Sequence, residues 1–116
     1  MISLEPIFLQ NPSSQRVAQG HLAILQCKAI ASQSVTEIRW FKNDREILRV
    51  FNDSGVAVLK LLNISISDAG NYHCYAQNEF GNATSTTATI AVLCKCDIMK
   101  KYICHMNCND FKTYSK

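Results

Sequence analysis

Cysteine and histidine are the residues of this chain with the widest chemical reach, and their spacing decides what they can do. Six cysteines fall in 116 residues, a density that points to an oxidising compartment, where thiols pair, rather than to a reduced cytosol. Cys27 and Cys74 stand far apart, while Cys94, Cys96, Cys104 and Cys108 crowd the C-terminal stretch. Three readings of the crowded group stay open. Its even count allows two disulfides. Its thiolates with His105 could hold zinc, although Cys-x-Cys and Cys-x3-Cys match no common zinc module. Or the stretch is foreign to the domain, as when sequence is read past an exon end, which the abrupt change of composition after Leu93 favours. No metal and no cofactor are assigned. His21, His73 and His105 are scattered, with His73 read as a solvated residue. Neither a glycine-rich phosphate loop nor a nucleophile elbow is present, so the chain is read as non-catalytic.

The elements that must position these residues are strands. Apolar residues make up 47% and charged residues 18% of one domain's length of chain, enough to bury a core. The net charge of +3 comes from the tail, where Lys95, Lys100, Lys101, Lys112 and Lys116 outnumber Asp97 and Asp110. Basic and acidic groups balance over residues 1–93, which removes the electrostatic case for nucleic acid. No run approaches the roughly 18 apolar residues that cross a bilayer. Met1-Ile-Ser-Leu-Glu-Pro has no signal-peptide features, so an extracellular role implies that this chain is a mature piece, a partial gene model or a segment of a larger protein. Ile98, Met99, Tyr102, Ile103 and Met106 have roughly helical spacing, read as incidental.

Period-two alternation dominates residues 5–93. Ala23, Leu25, Cys27 and Ala29 form the inward set of one strand, and Ile38 and Trp40 that of the next. Leu59 and Leu61 point inward from a strand beginning at Val56, and Ile64 returns to the core after a change of phase. Tyr72, Cys74 and Ala76 alternate against His73, Tyr75 and Gln77. A last strand is expected over residues 82–93. Pro12 breaks an edge strand that starts at Ile7-Phe8-Leu9.

On this reading Cys27 and Cys74, 47 positions apart, both face the core and could bridge two sheets, a closure worth on the order of 4 kcal/mol. Trp40 can pack its indole on that bridge, and Tyr72, two residues before Cys74, holds the place of a tyrosine corner. Asp68 can accept hydrogen bonds at the preceding turn, or pair with Arg49, and Gly70 relieves the backbone where the chain reverses. In this order the residues resemble the immunoglobulin superfamily. Ala76-Gln77-Asn78-Glu79-Phe80-Gly81 looks like the last hairpin of its I-set branch, and the short interval from Trp40 to Val56 leaves no room for the added edge strands of a variable domain. The resemblance implies an all-β, I-set Greek-key sandwich of two antiparallel sheets over residues 5–93, followed by a cysteine-rich tail, 94–116, irregular or weakly helical. Pro12-Ser13-Ser14-Gln15, Gln19-Gly20 and Leu25-Gln26-Cys27 resemble the first immunoglobulin domain of off-track-type pseudokinase receptors.

What the resemblance implies is a non-catalytic recognition or adhesion module of a cell-surface receptor, adhesion molecule or matrix protein. The alternative is a spacer in an intracellular titin-like muscle filament. Three acceptor sequons, at Asn52, Asn63 and Asn82, favour the extracellular reading. The expected partners are proteins, homophilic or heterophilic and including neighbouring immunoglobulin domains, with membrane attachment only through other parts of a parent protein. Phe41, Tyr75, Arg39 and Arg45 are candidate outward contacts. Phe80 at a hairpin tip is the possible partner anchor, set against a fold-back onto its own hairpin.

Overall fold

The computed structural model describes residues 4–32, 37–50 and 54–94. Alternation of buried and exposed side chains builds the first layer. In β3 (Ala23–Ile30), Ala23, Leu25, Cys27 and Ala29 are buried while Ile24 and Gln26 face outward. Antiparallel partners flank it: β1 (Ile7–Gln10), with a bulge between Phe8 and Gln10, and β6 (Val56–Leu61). These three form the smaller sheet, in the order β1-β3-β6.

The larger sheet places β7 (Gly70–Asn78) beside β4 (Glu37–Lys42), with Trp40 directly opposite Cys74. Its order is β2 (Gln15–Ala18), β9 (Ala88–Leu93), β7, β4 and β5 (Arg45–Val50), with β8 (Gly81–Thr84) also beside β7. The chain moves between sheets at Pro12, which is buried. Before it β1 pairs with the smaller sheet; after it β2 (Gln15–Ala18) pairs parallel with β9 (Ala88–Leu93). The sandwich is therefore antiparallel with one parallel edge.

Two expectations need correction. The interval between Trp40 and Val56 does hold an edge strand, β5 (Arg45–Val50), paired with β4 through a two-residue turn at Asn43 and Asp44. Both turn residues have positive φ, 49° and 67°, the geometry of a type I′ hairpin, whose twist matches that of the strands it joins. β5 is exposed along nearly its whole length, so it carries no period-two signal. The expected last strand is also two strands, β8 (Gly81–Thr84) and β9, separated at Ser85. Ser85 interrupts the ladder because its own side chain enters it. Its Oγ accepts from the Cys74 amide at 2.8 Å and donates to the Thr86 carbonyl at 2.9 Å. The Pro12 crossover is tied to the same break, since the Thr86 amide donates to Asn11 Oδ1 at 2.9 Å.

The core lies between the sheets. Leu25, Trp40, Tyr72, Ile38, Ile90 and Val92 are its largest fully buried side chains. Leu61 is partly buried and packs against it. Ile64 is buried too, by a route the phase change only hinted at. β6 ends at Leu61, Asn63 turns with φ 50°, and Ile64 is held to the turn before β3 by bonds with Gly20 and His21.

Asp68 closes a single 3-10 turn (Ile66–Asp68), where its carboxylate accepts from the Ser65 amide at 2.8 Å. It does not pair with Arg49, whose carboxylate partners are Glu37 and Glu46. The Asp68 carbonyl accepts from the Tyr72 hydroxyl at 2.5 Å, so one hydrogen bond pins the turn to the core strand. Burial pushes the Tyr72 phenol up to about 12, with the Asp68 carboxylate adding to the shift. A phenol that is harder to ionise folded than unfolded stabilises the fold fully below its unfolded value near 10, and that contribution is lost as pH rises towards 12. Denaturation at pH 8 and pH 11 is expected to show stability falling in that window, and Tyr72→Phe to remove the part of the fall due to this phenol at a cost of about 1 kcal/mol at pH 8.

Candidate functional site

Strand parity sends Glu37, Arg39 and Phe41 of β4, and His73 and Tyr75 of β7, to the outer face of the larger sheet. The register sets Phe41 opposite His73 and Arg39 opposite Tyr75. Phe41 and His73 stack, with centroids 5.0 Å apart and planes 2° from parallel. Tyr75 meets Phe41 edge-on at 6.4 Å and 76°, and the Arg39 guanidinium lies over the Tyr75 ring at 5.7 Å. His73, read from sequence as solvated, is half-buried in this stack.

Beside the rings lies a four-charge network. Arg39 bonds Glu37 and reaches Glu46 at 3.5 Å. Arg49 reaches Glu46 at 3.2 Å and Glu37 at 3.6 Å. Glu46 and Arg49 are three residues apart, a spacing that puts strand residues on opposite faces. A register shift places Leu48 opposite Trp40 but Glu46 opposite Phe41. The bulge thus returns both ends of the pair to one face. The hydrogen bond that Arg39 donates to Glu37 raises the Arg39 pKa further, against a smaller opposing effect of desolvation, so the guanidinium is a fixed charge. Exposed pairs of this kind add little stability. Their consequence is geometric: long side chains are held in place and the network is neutral as a set.

The hairpin between β7 and β8 is the second exposed feature. Asn78 is buried, and its Oδ1 accepts from the Phe80 and Gly81 amides at 2.9 and 3.1 Å while its Nδ2 donates to the Leu4 carbonyl at 2.8 Å. With its backbone fixed in this way, Phe80 remains 39% exposed.

The residues singled out from sequence separate into distinct places. Cys27 and Cys74 are joined at 2.05 Å across the two sheets, with Trp40 fully buried beside them in register. Asp68 and Tyr72 meet at the turn, and Phe80 sits at the hairpin tip. Asn63 and Asn82 are exposed; Asn52 lies outside the described residues. So do Cys96, Cys104 and Cys108, whereas Cys94 is buried and disulfide-bonded. The Phe41–His73 stack and the Glu37–Arg39–Glu46–Arg49 network were not anticipated. Matching parity on neighbouring strands was the available signal for the first; the bulge erased the signal for the second.

Among known families, the model of the Immunoglobulin I-set domain matches residues 6–92. Mouse Contactin-3 is 40% identical over 94 residues, which is 75% of this chain and 9% of that protein. Chicken Pro-neuregulin-1, membrane-bound isoform, is 28% identical over 123 residues, 85% of this chain and 20% of that protein. The chain thus spans a small fraction of the length of these relatives. Among solved structures, titin domains Z1Z2 in complex with telethonin align with a TM-score of 0.70 at 27% identity, covering 82% of this chain and 51% of that one. The N-terminal Ig1-2 module of the Drosophila Receptor Protein Tyrosine Phosphatase DLAR aligns with a TM-score of 0.65 at 26% identity, covering 78% and 46%.

A double-mutant cycle tests the stacked pair. Phe41→Ala and His73→Ala are expected to be non-additive by about 0.5–1.5 kcal/mol in urea denaturation; additive losses would mean that the rings are neighbours without being coupled.

Proposed function

The chain belongs to the immunoglobulin I-set family, and on that premise we propose that it is a non-catalytic recognition module of an extracellular or cell-surface protein. The observation that carries the reading is the outer face of β4, β5 and β7. Phe41, His73 and Tyr75 are rings fixed against one another, beside an arginine whose charge is already balanced. Aromatic and arginine side chains dominate the energetics of protein interfaces. Side chains that are ordered before binding lose less conformational freedom when a partner arrives. Phe80 at the hairpin tip adds a second contact of the same chemistry.

Placement outside the cell is supported by the Cys27–Cys74 bond and by the exposed sequon residues Asn63 and Asn82. Relatives whose names include a membrane-bound isoform and a receptor phosphatase agree with it. A glycan on Asn63 would occupy the turn after β6, whereas one on Asn82, which lies opposite Gln77 on the outer face of the larger sheet, would border the aromatic face. The likeness to titin domains at a TM-score of 0.70 favours the second reading, a spacer between neighbouring domains in a filament.

Two measurements separate these readings. Glycopeptide mapping of protein from its native tissue is expected to find sugar on at least one of Asn52, Asn63 and Asn82; three bare asparagines together with free Cys27 and Cys74 thiols would favour the filament spacer. For the face itself, the tagged chain is expected to bind intact cells of that tissue saturably. Phe41→Ala combined with Tyr75→Ala should weaken that binding by about thirtyfold. Unchanged binding would remove the face from the interface, and Phe80→Ala reads the hairpin tip separately.

A further inference from the structure

Rows of side chains cross the outer face of the larger sheet, and one acceptor sequon stands at the head of two of them. The first row runs from Asn82 of β8 to Gln77 of β7 and Glu37 of β4. The second runs from Thr84 to Tyr75, Arg39 and Arg49. The third holds His73, Phe41 and Glu46. Asn82 and Thr84, the two recognition residues of the sequon, therefore both flank the aromatic face. Ala83 between them has the opposite parity and lies across from buried Ala76.

Strand geometry sets the distances. Asn82 and Glu37 are two strand spacings apart, about 10 Å, and Asn82 is the diagonal neighbour of Tyr75, about 7–8 Å away. Asn82 and Thr84 are both exposed. Phe80, the exposed ring of the hairpin tip, precedes Asn82 by two residues, so Asn82 stands between the tip and the aromatic face. The sequon at Asn63 is placed differently. Ile64 bonds Gly20 and His21, and Gln19 bonds Leu93 at the end of β9. Since β9 runs antiparallel to β7, the Asn63 turn lies at the opposite end of the sandwich from the hairpin at residues 78–81.

We infer that an N-linked glycan on Asn82 gates the aromatic face, shielding Phe41 and Tyr75 from a protein-sized partner that the bare chain admits. The inference rests on the reading of this face as a recognition surface. The donor class is an oligosaccharide linked to a lipid diphosphate. A bond forms from Asn82 Nδ2 to the anomeric carbon as that carbon's bond to the diphosphate oxygen breaks. The amide gives up one proton and the lipid diphosphate leaves. The attached oligosaccharide is bulky and hydrated, and a partner that buries the rings must bind around it. Steric exclusion of this kind lowers affinity without changing any contact residue. A glycan on Asn63 projects from the other end and leaves the face alone.

The test compares the full chain, secreted by cultured mammalian cells behind a signal peptide, with its Asn82→Gln, Thr84→Ala, Thr84→Ser and Asn63→Gln variants. Glycopeptide mapping is expected to find sugar on Asn82, kept by Thr84→Ser and lost in Asn82→Gln and Thr84→Ala. The probe is an antibody fragment selected on the chain refolded without sugar, and chosen because Phe41→Ala with Tyr75→Ala abolishes its binding. It should bind the parent chain and Thr84→Ser about tenfold more weakly than Asn82→Gln and Thr84→Ala, while Asn63→Gln should match the parent. A secreted chain bare at Asn82 overturns the inference, and so does equal binding by the glycosylated and bare chains. The recognition reading fails separately: Phe41→Ala with Tyr75→Ala would then leave binding to intact cells of the native tissue unchanged, whatever the antibody fragment shows.

Discussion

The bond between Cys27 and Cys74 is the constraint from which the rest of the structure follows. It joins the central strand of the smaller sheet to the central ladder of the larger one, with Cα atoms 6.7 Å apart. Once these strands are fixed face to face, period-two geometry decides which side chains are core and which are surface. Trp40 lies opposite Cys74 in register and is fully buried. Its Nε1 has no hydrogen-bond partner among the described residues, a desolvation cost of about 1–3 kcal/mol. Burial of the large indole surface offsets it, and the indole cannot leave that place without opening the sandwich.

The edges of the sandwich are secured by side chains acting as backbone. Ser85 replaces a rung of the ladder beside Cys74, Asn78 holds the hairpin tip and the N-terminal segment together, and Tyr72 ties the 3-10 turn to its strand. Asn71 and Asn43 link the start of β7 to the turn after β4 through a pair of bonds of 2.8 and 3.0 Å. Each replaces a missing ladder bond where the chain leaves a sheet, and together they leave the outer faces free of structural duty. The aromatic stack is a surface of this kind, ordered by the core beneath it but not consumed by it.

How much of this was legible in the sequence depended on burial. Cys27, Trp40, Tyr72 and Cys74 announced themselves because a buried face imposes strict alternation and leaves few acceptable residue types. β5 was missed because a strand exposed on both faces has no alternation to display. The break at Ser85 was missed because threonine and serine suit strands and side-chain bonding equally well. The ion network was hidden by a bulge that changes which residues share a face. Asp68 was placed at the right turn but given Arg49 as a candidate partner; local geometry supplied the Ser65 amide first, and Arg49 found its carboxylates on its own sheet.

If the Cys27–Cys74 tether is what holds the two sheets in register, its removal has a defined signature. The most direct test is the unfolding free energy of the chain against that of a Cys27→Ala, Cys74→Ala double variant. The account predicts a loss of about 4 kcal/mol, together with loss of the near-ultraviolet signal of Trp40 at lower denaturant. Equal stability of the two proteins would contradict it, and would place the origin of the sandwich in its ladders alone.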